Sequence, residues 1–106
     1  MALKIIFWAR AMDHLAEVKR IVLGGLKGHR AKVYLFGSRA TGEAWRWSDI
    51  DVAVLPLEPM PEGLLGEIRE ALEESHVPFF VDLVDLSHAE ASLRRRVKRE
   101  GVLWNG

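Results

Sequence analysis

The sequence has no cysteine, no glutamine, and one asparagine. Without cysteine there can be no disulfide and no thiolate metal site, and nothing in the chain calls for an oxidising compartment. A surplus of one charge sign is also missing. Fifteen Lys and Arg balance fifteen Asp and Glu, so no global field draws the chain to nucleic acid or to an anionic membrane. Long hydrophobic runs are absent. The stretch Ile5-Ile6-Phe7-Trp8-Ala9 is ended by Arg10 and Asp13, well before the roughly 20 residues a membrane span needs. It is also too short, and lacks a clear cleavage site, for a secretory leader. These absences predict a cytoplasmic protein without a membrane partner. Few amides with many Glu and Arg is a composition compatible with a thermophilic source.

What is present is ordinary globular material. Apolar residues make up 49% and charged residues 28% of 106, which suits one domain, 1–106, with a real core. No internal repeat or low-complexity tract appears. Residues 12–27 read as an amphipathic helix, with Met12, Leu15, Val18, Val22 and Leu26 on one side. The apolar segment before it either extends this helix or forms its own short element. Residues 32–36 form a strand with no polar face, expected to be buried on both sides. Residues 38–47 are a short helix or loop, and 49–55 a second strand. Pro56, Pro59 and Pro61 then break regular structure. A helix follows from Pro61 to about Ser75, with Leu65, Ile68 and Leu72 inward. Residues 79–84 make a third strand. Ser87-His88-Ala89-Glu90 has capping-box spacing and predicts a last helix opening there and ending near Gly101. Strands alternating with helices predict an α+β fold of α/β/α type: a small mixed β-sheet packed with helices.

Two aspartates carry the chemistry. Asp49 and Asp51 lie one residue apart, so on a strand they share a face, while Ile50, Val52 and Val54 line the other. Aspartate is disfavoured in strands, and two neighbouring anions repel unless a cation or a shared proton relieves them. A hard divalent metal is the simplest such cation. The bland reading is a strand end with two solvated carboxylates. Asp82 interrupts a third apolar strand, where burying an unpartnered carboxylate would cost several kcal/mol. If that strand lies beside the second, three carboxylates come together. Asp85, near the strand end, reads as a loop residue before Ser87. Upstream, Gly37 permits close approach of a ligand to the backbone, Ser38 adds a hydroxyl, and Arg39 adds positive charge. Taken alone, Gly37-Ser38 reads as a strand-to-helix turn. It is not a P-loop: Gly37 and Gly42 have the spacing, but Glu43 stands where that motif needs lysine.

Gly37-Ser38-Arg39-Ala40-Thr41-Gly42, then Ser48-Asp49-Ile50-Asp51, then Val81-Asp82-Leu83-Val84 resembles the minimal nucleotidyltransferase family of the DNA polymerase beta-like superfamily. The likeness spans roughly residues 12–103. It implies the nucleotidyltransferase fold and a Mg²⁺-dependent transfer of an NMP, above all AMP from ATP, onto a hydroxyl. Asp49, Asp51 and Asp82 would be the catalytic, metal-holding residues for one or two Mg²⁺ ions. Gly37, Ser38 and Arg39 would bind the nucleotide, and pyrophosphate would leave. The family also implies a helical HEPN-domain partner in a toxin–antitoxin pair, with this chain as antitoxin and the partner as acceptor of AMP. Self-association of the chain is compatible with that scheme. Trp45 and Trp47 have no place in the family pattern.

Two competing readings stand beside it. In one the chain neutralises a partner by contact alone, its aspartates a relic. In the other it senses nucleotide without turnover. The basic run Arg94-Arg95-Arg96-Val97-Lys98-Arg99 reads first as a solvated helix end that complements the macrodipole. Its functional reading is a patch for a partner, RNA or a triphosphate. His14, His29, His76 and His88 have no ligand spacing. The aromatic residues Phe7, Trp8, Trp45, Trp47 and Trp104 are expected mostly in the core or over the sheet, an exposed subset marking an interface.

Overall fold

The computed structural model describes residues 2–42 and 49–105, with side chains from residue 14 onward. Trp45, Trp47 and Ser48, and the side chains of Phe7, Trp8 and Met12, lie outside the described residues. In chain order the elements are α1 (Ala2–Gly25), β1 (Ala31–Phe36), α2 (Ser38–Thr41), β2 (Ile50–Pro56), α3 (Leu64–Glu73), β3 (Val81–Asp85), a 3-10 turn (Leu86–His88), α4 (Ala91–Glu100) and β4 (Val102–Leu103). The apolar segment at residues 5–9 therefore extends the first helix. No helix among the described residues is long and apolar enough to cross a membrane.

The four strands form one sheet in the order β3-β2-β1-β4. β1 runs antiparallel to both β2 and β4, and β2 runs parallel to β3. Helices cover both faces. Val33, Leu35, Ile50, Val52, Val54 and Leu83 pack with Val18 and Val22 of α1 and Ile68 and Leu72 of α3. On the other face Tyr34, Phe36 and Ala53 pack with Leu86 and with Val97 of α4. Every residue of 33–36 is buried, which is the two-sided burial expected of a strand with no polar face. Trp104 packs against the first cluster, whereas Phe80 is 67% exposed.

Two helix starts differ from expectation, the third strand spans Val81–Asp85 rather than 79–84, and a fourth strand is added. α3 starts at Leu64, not at Pro61, because Gly63 adopts a left-handed conformation (φ +84°) at its N-cap. The capping box at Ser87 does not form. Asp85 Oδ1 instead accepts from Ser87 N (2.9 Å) and Ser87 Oγ (2.6 Å), which winds residues 86–88 into a 3-10 turn and delays α4 to Ala91. Finally, β4 is a two-residue strand too short to show any alternation. Asn105 anchors it, with Nδ2 donating to Ala31 O (2.7 Å) and Oδ1 accepting from Val33 N (2.9 Å).

Candidate active site

The site is built where β1 ends and β2 begins. The antiparallel register sets Phe36 opposite Asp51, so Gly37, the next residue, reaches the carboxylate. Gly37 has φ +75°, and a Cβ placed on it would overlap Asp51 Oδ2. Only glycine meets both conditions, since L-residues avoid positive φ and the space beside the backbone is already filled. Ser38 then opens α2, whose first amides have no partner within the helix. Ala40 N and Thr41 N close the turn on Gly37 O at 3.1 and 3.2 Å.

Asp51 lies on the α4 face of the sheet, opposite in parity to Ile50, Val52 and Val54, which are completely buried. Asp49 immediately precedes the strand and is exposed. The parallel register pairs Asp51 with Asp82. Adjacent strands lie about 4.8 Å apart, so Asp82 shares the face of Asp51 as its direct neighbour. Asp82 is exposed on the edge strand. The burial cost expected for it therefore does not arise: it stands at the sheet's rim. Asp51 is half-buried, and burial first, then the charges of Asp82 and Asp49, push its carboxyl above the ordinary range. The charges of Asp82 and Asp49 thus both bear on Asp51.

Arg39 is placed differently from Ser38. Its guanidinium sits 4.6 Å over the Phe79 ring, a cation–π geometry, and Phe79 meets His14 edge-on at 5.7 Å. Burial lowers the Arg39 pKa, and the charge of Asp49 opposes this. Arg39 therefore lies within the field of Asp49.

Two clefts border these groups, and a third lies away from them. One of about 330 Å³ is lined by Gly37, Ser38 and Thr41 from the loop and by Arg96 and Glu100 from α4. A second, about 300 Å³, borders Asp82 along the outer edge of β3, with Phe79, Phe80, Val77 and Arg69 around it. A wider one, about 750 Å³, opens at the far end of β2 and β3 near Pro56, Arg69 and Asp85 and touches none of the three aspartates. Thr41 carries no site role in the sequence pattern, and Arg96 has one only as part of a basic run that could serve a partner, RNA or a triphosphate. Thr41 lies within the Gly37–Gly42 stretch but had no chemistry of its own there, and Arg96 was one cation among five in its run.

The donor set suits a hard cation: the oxygens are carboxylates, mutually repelling and open to solvent on one side. Among the described residues no cluster of three metal-ligating side chains is preformed. Mg²⁺ does not require one, because it keeps several waters and is usually held by one or two carboxylates together with substrate phosphates.

A mixed sheet that sets a Gly-Ser turn against paired strand aspartates defines a nucleotidyltransferase. Residues 27–104 match the family described as Polymerase beta, Nucleotidyltransferase, and the chain belongs to that family. It is 34% identical over 91 residues to the Probable protein adenylyltransferase MntA of Haemophilus influenzae, covering 86% of this chain and 78% of that protein. Its fold is similar to a crystal structure of a toxin–antitoxin with AMP-PNP (TM-score 0.65, 32% identity, 83% of this chain and 73% of that one). It is also similar to a structure of the tri-AMPylated HEPN toxin of Shewanella oneidensis in complex with MNT antitoxin (TM-score 0.64, 26% identity, 90% of this chain and 71% of that one). The minimal nucleotidyltransferase resemblance and the α+β nucleotidyltransferase fold are thus both borne out.

Proposed function

We propose that this chain transfers AMP from ATP to a hydroxyl of a partner protein, and that the partner is a HEPN-domain toxin for which this chain is the cytoplasmic antitoxin. The observation that carries the reading is the register of Asp51 with Asp82 beside the Gly37 turn, which sets a Gly-Ser turn suited to phosphate against an acidic face. The adenylyltransferase name of one relative, and the AMP-PNP and AMPylated toxin of the neighbours, support adenylate as the group moved.

In this scheme Gly37 and Ser38 bind the β- and γ-phosphates through backbone amides and the hydroxyl. Asp49 and Asp51 would hold Mg²⁺, whose charge would offset that of the triphosphate. Asp82, exposed on the edge strand beside Asp51, would meet the acceptor on that face. It orients the attacking hydroxyl and receives its proton. The acceptor oxygen bonds to the α-phosphorus as the bond from that phosphorus to the β-phosphate bridging oxygen breaks, and pyrophosphate departs. Most of the acceleration comes from alignment and charge complementarity.

The test is incubation with labelled ATP, Mg²⁺ and the cognate HEPN protein. Label should appear on the partner, vanish with EDTA, and fall by at least about 100-fold for Asp49→Asn or Asp51→Asn, the scale of losing a group that stabilises transition-state charge. An unlabelled partner in a mixture where the two proteins demonstrably bind would leave neutralisation by contact as the function.

A further inference from the structure

The basic run at residues 94–99 is the sequence feature that the transfer chemistry leaves unused. On α4 it does not act as one patch. Successive helical residues point about 100° apart: Val97 is buried on the sheet, Arg94 is half-buried, and Arg95, Arg96, Lys98 and Arg99 face outward. Of this run only Arg96 lines the cleft shared with Gly37, Ser38 and Thr41. Its guanidinium makes no hydrogen bond or ion pair with the described residues, since Glu100 contacts Arg99 instead at 3.4 Å.

The loop's own cation does not serve this cleft. Arg39 lies over Phe79 and within the field of Asp49, and it is not among the cleft's lining residues. A phosphate chain held by Gly37 and Ser38 would therefore meet its guanidinium from α4. Resting on the nucleotidyl-transfer reading, we propose that Arg96 binds the terminal phosphates of the nucleoside triphosphate, closing the phosphate grip from the helix side. The chemistry fits: a guanidinium is always charged and presents paired donors that match two phosphate oxygens. Glu100, one turn further on the same rim, works against the ligand, and its contact with Arg99 offsets part of that repulsion.

Calorimetric titration of ATP and AMP, with Mg²⁺, into the full chain tests this. Arg96→Ala should weaken ATP about tenfold to a hundredfold, the range for a lost charge-assisted hydrogen-bond pair, and leave AMP binding unchanged. Arg96→Lys should recover part of the loss, keeping charge without the fork. Glu100→Gln should tighten ATP a few-fold. Because Arg96 is exposed, an unchanged melting curve should accompany each variant. Wild-type ATP affinity in Arg96→Ala, alongside normal AMP transfer by the wild type, would overturn the assignment and leave nucleotidyl transfer standing. The assignment is equally overturned if the variant loses affinity only for the HEPN partner, or if AMP and ATP weaken equally. A wild-type chain that binds no ATP would remove the transfer reading and this assignment together.

Discussion

Gly37 is the residue on which the site turns. Its positive φ and the carboxylate against its α-carbon mean that one methyl group does two kinds of harm. Gly37→Ala is expected to cost roughly 1–3 kcal/mol of stability from a positive-φ backbone (φ 75°, ψ −156°) that essentially only glycine adopts. By displacing Asp51, it should also slow transfer on the order of 100-fold. Thermal unfolding and a single-turnover rate check both, and an alanine variant with wild-type values in each would show that the contact is dispensable. Asp51 has its own signature. Burial and two neighbouring carboxylates raise its pKa in the folded chain. As pH rises through the ordinary value, 3.8, the unfolded chain releases its proton first and the folded chain retains it. Stability is therefore lost progressively between that value and the raised folded one. Asp51→Asn should flatten this slope and raise the melting temperature of the ligand-free protein at neutral pH while abolishing transfer. A melting temperature at neutral pH lower in the variant than in the wild type would contradict the sign. The residue pattern was legible in advance wherever chemistry is local. A two-residue alternation places Asp49 and Asp51 away from Ile50, Val52 and Val54 in any strand. The fate of Arg39 was not legible, because Phe79 lies forty residues on and the ring contact depends on packing.

Among elements, the segment after β3 departs most from its sequence pattern. Ser87 and Glu90 have the spacing of a capping box, yet Asp85 is two residues upstream and takes both donors of Ser87. Burial acts to raise the Asp85 pKa, but the two bonds from Ser87 and the charges of His88 and Arg69 outweigh it and hold the carboxyl below its ordinary value. The resulting turn drives Leu86 completely into the second core cluster, against the sheet and α4. Leu86→Ala should therefore destabilise the protein by about 2–5 kcal/mol, and loosen the seat of the helix that carries Arg96. A urea unfolding curve reads the first effect, and a loss below about 1 kcal/mol would mean that the site collapses around the gap. β3 is an edge strand, and α3 protects it: Arg69 Nη2 donates to Leu83 O at 2.8 Å, next to Asp82. The pairing of β2 with β3 could not be read from sequence, since the 24 residues between them, 57–80, leave the neighbour and the register undetermined. β4 was invisible for a different reason: Val102 and Leu103 are too few to alternate, and their partners, Leu35 and Tyr34, lie at the other end of the chain.

At the scale of the molecule, a mixed sheet with helices on both faces was recoverable from the order of apolar segments, because strands and helices alternate along the chain. The order β3-β2-β1-β4 was not, since it depends on which edges helices cover after folding. That order has a kinetic meaning. The turn at Gly37 and the pair at Asp49 and Asp51 come from a single antiparallel hairpin and need only short loop closure. Asp82 arrives by a parallel crossover, and α4 is pinned behind it by β4 and by Asn105, whose bond to Val33 spans 72 positions. Long-range pairings of this kind form late. During synthesis the loop and first two carboxylates would thus emerge as a half-built centre, lacking both Asp82 and the helix bearing Arg96. On the proposed reading, the Gly37 loop would be present before Arg96, which completes the phosphate grip, and before Asp82, which meets the acceptor, and the register of the last strands would set the moment at which the chain becomes competent.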